Sequence, residues 1–175
     1  MKKNNKITLS AMMAALAVAF MLLSYFPYLT YAIPAIAGLF IMVIVIEINC
    51  KWAFAAFIAS SILVLLSAEP ESKLMYVLLL GYYPIIKALT ERINKPVIEW
   101  FIKIIVFNIS VLAAYLIFAK LFGITLDDLM FVGKYGPLIL LILGNIVFVF
   151  YDIAVSRMAC MYINVLHPKI KKLLK

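Results

Sequence analysis

Several residue types are scarce in this 175-residue chain, and each scarcity removes a class of function. There is one histidine, His167, and there are two cysteines, Cys50 and Cys160. Residues so few and so far apart form no cluster with metal-ligand spacing and no disulfide framework. No phosphate-binding loop, GxSxG or HExxH pattern occurs, so any nucleotide hydrolysis would have to come from another chain. Charged residues make up only 14% of the chain, against roughly a quarter in a soluble domain. There is no row of arginines for a voltage sensor, no selectivity-filter sequence and no ladder of carboxylates for a proton relay. With no His, Asp or Glu constellation, the chain is expected to be neither an enzyme nor a holder of a cofactor.

What the chain does have is apolar length. It is 67% hydrophobic with a mean hydropathy of +1.14. A chain of this size could not hide that much apolar surface from water. The expected fold is an all-α integral membrane protein, a single bundle of six transmembrane helices. The spans are expected at about 7–24, 34–48, 52–67, 74–89, 97–122 and 137–161, with a basic tail over 164–175. Lys2, Lys3 and Lys6 before an apolar run resemble a signal peptide, and Ala17-Val18-Ala19 resembles a cleavage site. The apolar run continues through Leu23, however, so the first helix is expected to stay.

Six spans put both termini on one side. With the N-terminus inside, the inside segments hold Lys2, Lys3, Lys6, Lys51, Lys87, Arg92, Lys95, Lys103, Arg157, Lys169, Lys171, Lys172 and Lys175, thirteen of the sixteen cations. Lys73, Lys120 and Lys134 fall outside. The positive-inside rule therefore predicts both termini in the cytoplasm and a multi-pass protein of the cell membrane. The net charge of +8 is then explained by orientation and by contact of the tail with anionic lipid, with no need for nucleic acid.

Within the spans, a few features bear on function. Pro84 interrupts the fourth span and predicts a kink. Glu47 and Lys51, and Glu99 and Lys103, stand at helical i,i+4 spacing. Thr125 and Asp128 predict the start of a short surface helix over Leu126 to Val132. Asn108 and Asn145 lie near mid-depth in the fifth and sixth spans, as ligand contacts or as an interhelical hydrogen bond. Asp152 and Arg157 lie nearer the cytoplasm, as a docking site or as a hydrogen-bonded Asp beside a snorkelling Arg. Tyr25, Tyr28, Tyr31, Tyr76, Tyr115 and Tyr135 gather in the outer half, as the walls of a pocket for a flat ligand or as an interfacial belt. From these, Tyr28, Tyr31, Tyr76, Asn108, Tyr115 and Asn145 are the candidate ligand-binding residues.

The most distinctive pattern is in the first span. Ala11, Ala15 and Ala19 recur every four residues and make a stripe of small side chains, widened by Ser10 and Ala14. Small residues let membrane helices approach closely, so the stripe is a partner-docking face or an internal packing contact. A chain of this size, with six spans and an alanine-x-x-x-alanine stripe on its first helix, resembles the substrate-binding S component of energy-coupling factor transporters. That resemblance implies docking of Ala11, Ala15 and Ala19 on a transmembrane coupling subunit, which works with two cytoplasmic ATPases. It also implies that the loop from Tyr25 to Pro34 helps close a site for a small-molecule ligand, a vitamin or similar micronutrient, taken from outside. The alternative is a small membrane scaffold that transports nothing, similar to the rod-shape-determining integral proteins.

Overall fold

The computed structural model describes residues 3–26, 28–122 and 136–169. All the regular structure among them is helical. In lipid no water is present to bond a backbone amide, and a helix satisfies its own amides within one segment. Helix α1 is Lys3–Met21 and tightens into a 3-10 turn at Leu22–Tyr25; α2 is Ala32–Glu47 and α3 is Cys50–Ser67. Helix α4, Pro70–Met75, runs through a π-helical turn, Tyr76–Leu80, towards α5, Tyr83–Thr90. The long helices α6, Pro96–Phe122, and α7, Gly136–Val165, complete the fold.

Among the described residues, five stretches are long and apolar enough to cross a membrane: Lys3–Tyr25, Cys50–Ser67, Pro70–Ile93, Pro96–Ile117 and Leu138–Lys169. The chain is thus a multi-pass, all-α membrane protein. The remaining expected span, the second, is α2, which is apolar but only 16 residues long. At 1.5 Å per residue it reaches roughly 24 Å, short of a hydrocarbon layer of roughly 30 Å.

Several boundaries move from their expected places, each for a local reason. Helix α3 opens at Cys50 rather than Trp52, because the Asn49 side chain caps it by accepting from the Trp52 N–H at 3.0 Å. The connection left between the expected third and fourth spans, 68–73, is already helical from Pro70, a proline in the first turn where its missing N–H costs nothing. Helix α7 continues past Met161 to Val165, so the start of the expected tail is helical. The surface helix expected over Leu126 to Val132 lies outside the described residues.

Side-chain bonds show how the helices alternate in direction. At one end the first loop is tied to the α3–α4 junction. Tyr25 Oη donates to Ser67 O at 3.1 Å, Ser72 Oγ to Thr30 O at 2.6 Å, and Tyr31 Oη to Glu71 Oε2 at 3.1 Å. At the opposite end the carboxylate of Glu47, closing α2, accepts from Tyr162 Oη at 2.9 Å and meets His167 Nδ1 at 2.8 Å. Glu47 therefore does not pair with Lys51 as expected: the helix breaks at Asn49 and leaves the two residues on different elements. His167, expected in the basic tail, is part of this end of the bundle.

Two apolar cores result. The first joins α1, α2 and α3 through Ala17, Met21, Ala37, Ile41, Ala53 and Phe57. Its small residues allow close backbones, the main source of packing energy between helices in lipid. The second is aromatic. Phe107 of α6 stacks on Phe148 of α7 with ring centroids 4.5 Å apart, and Tyr83 meets Phe148 edge-on at 5.1 Å. Outside these cores most large apolar side chains of α6 and α7 are exposed, as a lipid-facing surface requires.

Candidate functional site: an apolar hollow, a buried ion cluster and an open alanine face

The fourth span is broken where it matters most. Pro84 has no N–H, so the Leu80 carbonyl loses its helical donor. One turn earlier the ladder has already widened: Gly81 N–H reaches back five residues to Tyr76 O at 2.8 Å. The expected kink at Pro84 is thus a π-turn followed by a fresh helix start. Such turns re-aim side chains and are frequent at functional sites. The Leu80 carbonyl is approached by Tyr151 Oη at 3.5 Å and by the backbone of α2 at Gly38. A Cβ at Gly38 would collide with that carbonyl oxygen, so glycine is required for the close approach.

Beside this break lies a hollow of about 490 Å³, within the usual range for small-molecule sites, roughly 300–1,000 Å³. Tyr31 and Ala35 line it from the first loop and α2, and Met75 and Leu78 to Leu80 from the broken span. Helix α6 contributes Phe107, Ser110, Val111 and Ala114, and α7 contributes Gly144, Val147, Phe148 and Tyr151. Space exists because α2, α6 and α7 each present a minimal side chain there: Ala35, Ala114 and Gly144. No charged side chain lines the hollow among the described residues.

Of the six candidate ligand residues, the hollow brings in one, Tyr31. Partial burial and then the neighbouring Glu71 carboxylate push its hydroxyl above the ordinary tyrosine range, so it donates to Glu71 throughout the neutral range. Tyr28 is 99% exposed, with a left-handed backbone at φ 72°. Tyr76 is buried against α3 and shares a 2.8 Å hydrogen bond with Ser60. Tyr115 is half-buried and lines no part of the hollow. Asn108 and Asn145 bond each other twice, Nδ2 to Oδ1 at 3.0 Å and 3.2 Å, and each also donates to its own i−4 carbonyl. Of the two readings of these asparagines, the structure has the interhelical bond.

A second feature sits deeper towards the Glu47 end. The Asp152 carboxylate of α7 takes Lys87 Nζ of α5 at 2.5 Å and Lys103 Nζ of α6 at 3.2 Å, and accepts the Tyr83 hydroxyl. Lys103 also pairs with Glu99 at 2.5 Å, the i,i+4 contact expected from spacing, and its ammonium stands 5.5 Å from the Trp100 ring centroid. Lys87 pairs with Glu91 at 2.9 Å. Lys87, Lys103 and Asp152 are all buried, whereas Arg157 points outward. The sequence reading used Lys87 only to orient the chain and gave Lys103 no partner but Glu99. The signal that would have joined them to Asp152 is chemical. A lone charge inside a span is too costly to leave unpaired, so lysines on two spans call for a carboxylate on a third.

No family model matches this chain, and neither a curated protein nor a solved structure does.

The alanine stripe splits in two. Of the two residues that widen it, Ser10 is buried and Ala14 is half-buried against the core that joins α1 to α2 and α3. Ala11, Ala15 and Ala19 lie on the exposed side of α1. The hollow is lined by α2, the broken span, α6 and α7, with nothing from α1. A shallow open row of methyl groups on one side and an apolar hollow elsewhere in the bundle are separate surfaces, free to serve separate partners.

Proposed function

We propose that this protein is the substrate-capture subunit of an importer of the energy-coupling factor type. A micronutrient from outside would enter the hollow. A separate transmembrane coupling subunit would dock on Ala11, Ala15 and Ala19, and two cytoplasmic ATPases would supply the energy this chain has no means to generate. In this reading all six apolar helices cross the cell membrane, α2 with local thinning of the bilayer, and both termini are cytoplasmic. The observation that carries the reading is the exposed alanine row on a helix that takes no part in the hollow. A packing stripe would be covered by its own bundle; this one is left open.

The test is a co-purification. The chain is expressed with the coupling subunit and ATPases of its own host, with and without Ala15→Trp. The indole would stand out from the open face and block close approach, so recovery of the coupling subunit should fall at least tenfold. The melting temperature of the isolated variant should stay within a few degrees of wild type. Equal recovery of the coupling subunit with both proteins would refute the docking assignment.

A further inference from the structure

The chemistry of the hollow limits what can occupy it, and this limit rests on the capture reading above. A buried polar ligand atom needs a protein partner, because leaving it unpaired forfeits its bonds to water. Three hydroxyls border the hollow, and the proton of each is already donated elsewhere. Tyr31 Oη donates to Glu71 at 3.1 Å. Ser110 Oγ bonds Val106 O at 2.8 Å and Tyr82 Oη at 2.5 Å. Tyr151 Oη reaches Leu80 O at 3.5 Å, a long bond and so the easiest to exchange. The nearest buried carboxylate, Asp152, is taken up by Lys87, Lys103 and Tyr83. What remains free to contact a ligand is the aromatic faces of Phe107, Phe148 and Tyr151 and the aliphatic wall of the broken span.

We propose that the hollow takes an uncharged, mainly hydrocarbon molecule built on a flat ring system, with at most one buried polar atom, a carbonyl or ether oxygen met by Tyr151. Charged micronutrients are excluded because no charged side chain lines the hollow among the described residues, and hydroxyl-rich ones because its polar groups, three hydroxyls whose protons are already donated and the Leu80 carbonyl, are too few to satisfy them. Gly144 sets the space. A Cβ there would sit 3.5 Å from the Phe107 ring, an ordinary contact, whereas a longer side chain would project into the hollow.

Benzophenone tests this directly. It is neutral, flat-ringed and carries one carbonyl, and on irradiation it inserts into nearby C–H bonds, with methionine favoured. Met75 lines the hollow, while Met12 and Met158 are exposed on the outer surface of the bundle and report simple partitioning. The protein in detergent micelles is irradiated with rising benzophenone or with 4-benzoylbenzoate, its carboxylate analogue, and the labelled peptides are quantified. Saturable labelling of Met75 by benzophenone is expected, at least tenfold above that by the carboxylate. It should survive Gly144→Ala and fall to background in Gly144→Leu and, independently, in Ala114→Leu. Labelling of Met12 and Met158 should stay the same in every folded variant. If the carboxylate labels Met75 as well as benzophenone or better, the ligand class is wrong and the capture reading stands. If neither probe labels Met75 saturably, or if both filling variants fold and label like wild type, the hollow is no ligand site, and the capture reading falls with the class.

Discussion

Removing the charge of Asp152 tests whether the ion cluster holds α5, α6 and α7 together. In wild type, Asp152 faces two ammonium groups, at 2.5 Å and 3.2 Å, and is 4% exposed. At an effective dielectric of about 20, each contact is a gross attraction of roughly 5–7 kcal/mol, largely offset by the cost of taking the ions out of solvent. The net loss on deleting one partner of a buried pair is about 3–5 kcal/mol. Asp152→Asn belongs at the lower end, about 3 kcal/mol, because Lys87 keeps Glu91 and Lys103 keeps Glu99 and, at 3.7 Å, Glu91. Glu91→Gln should cost under about 1 kcal/mol, since that side chain is 47% exposed. The triple variant Lys87→Met, Lys103→Met, Asp152→Leu should recover most of the loss, because apolar side chains of similar size avoid burying charge. Equilibrium unfolding in mixed SDS micelles reads all three. By the scaling for chains of this length, Asp152→Asn should lower the melting temperature by roughly 6–12 °C. If Asp152→Asn costs under about 1 kcal/mol, or the triple variant is no better than the single, the cluster is not the clamp described here.

Other substitutions separate packing from function. Gly38→Ala should destabilise by about 1–3 kcal/mol in the same assay, because the new methyl group meets the Leu80 backbone rather than a movable side chain. Asn108→Ala should cost about 0.6–1.7 kcal/mol, the usual worth of an interhelical hydrogen bond in lipid. The double variant Asn108→Ala, Asn145→Ala should cost little more than either single, since the two amides share their bonds. Gly144→Ala should leave the melting temperature within a few degrees of wild type, because its Cβ meets only ordinary ring contacts.

How much of this could be read from residues alone differed between elements. The apolar helices and their order follow from composition and from turn residues at Asn49 and Asn94, because lipid permits the backbone few alternatives. The shortness of α2 was legible too: the span expected over 34–48 is as short as the helix found, Ala32–Glu47, because polar Asn49 and Lys51 follow Ile48 and Asn49 caps the next helix. Pro84 announced a disturbance, but the π-turn four residues earlier depends on Gly81 fitting among Phe57 and Tyr76, a tertiary matter. The hollow was expected to be walled by tyrosines; of the expected ones that are described, Tyr31 alone borders it, together with Tyr151, which the sequence did not single out. Its shape, however, comes from residues that are missing bulk: Ala35, Ala114 and Gly144, spread over three helices, carry no periodic signal within any one of them. The exposure of Ala11, Ala15 and Ala19 could not be decided from spacing, because a small-residue stripe reads the same whether a bundle covers it or leaves it bare.

The most direct measurement is native mass spectrometry of the chain purified from cells grown in rich medium, run beside Gly144→Leu. The wild type should carry one small, uncharged molecule per chain, released on gentle activation and absent from the folded variant. A wild-type spectrum showing bare protein, or the same phospholipid on both proteins, would contradict ligand capture by the hollow.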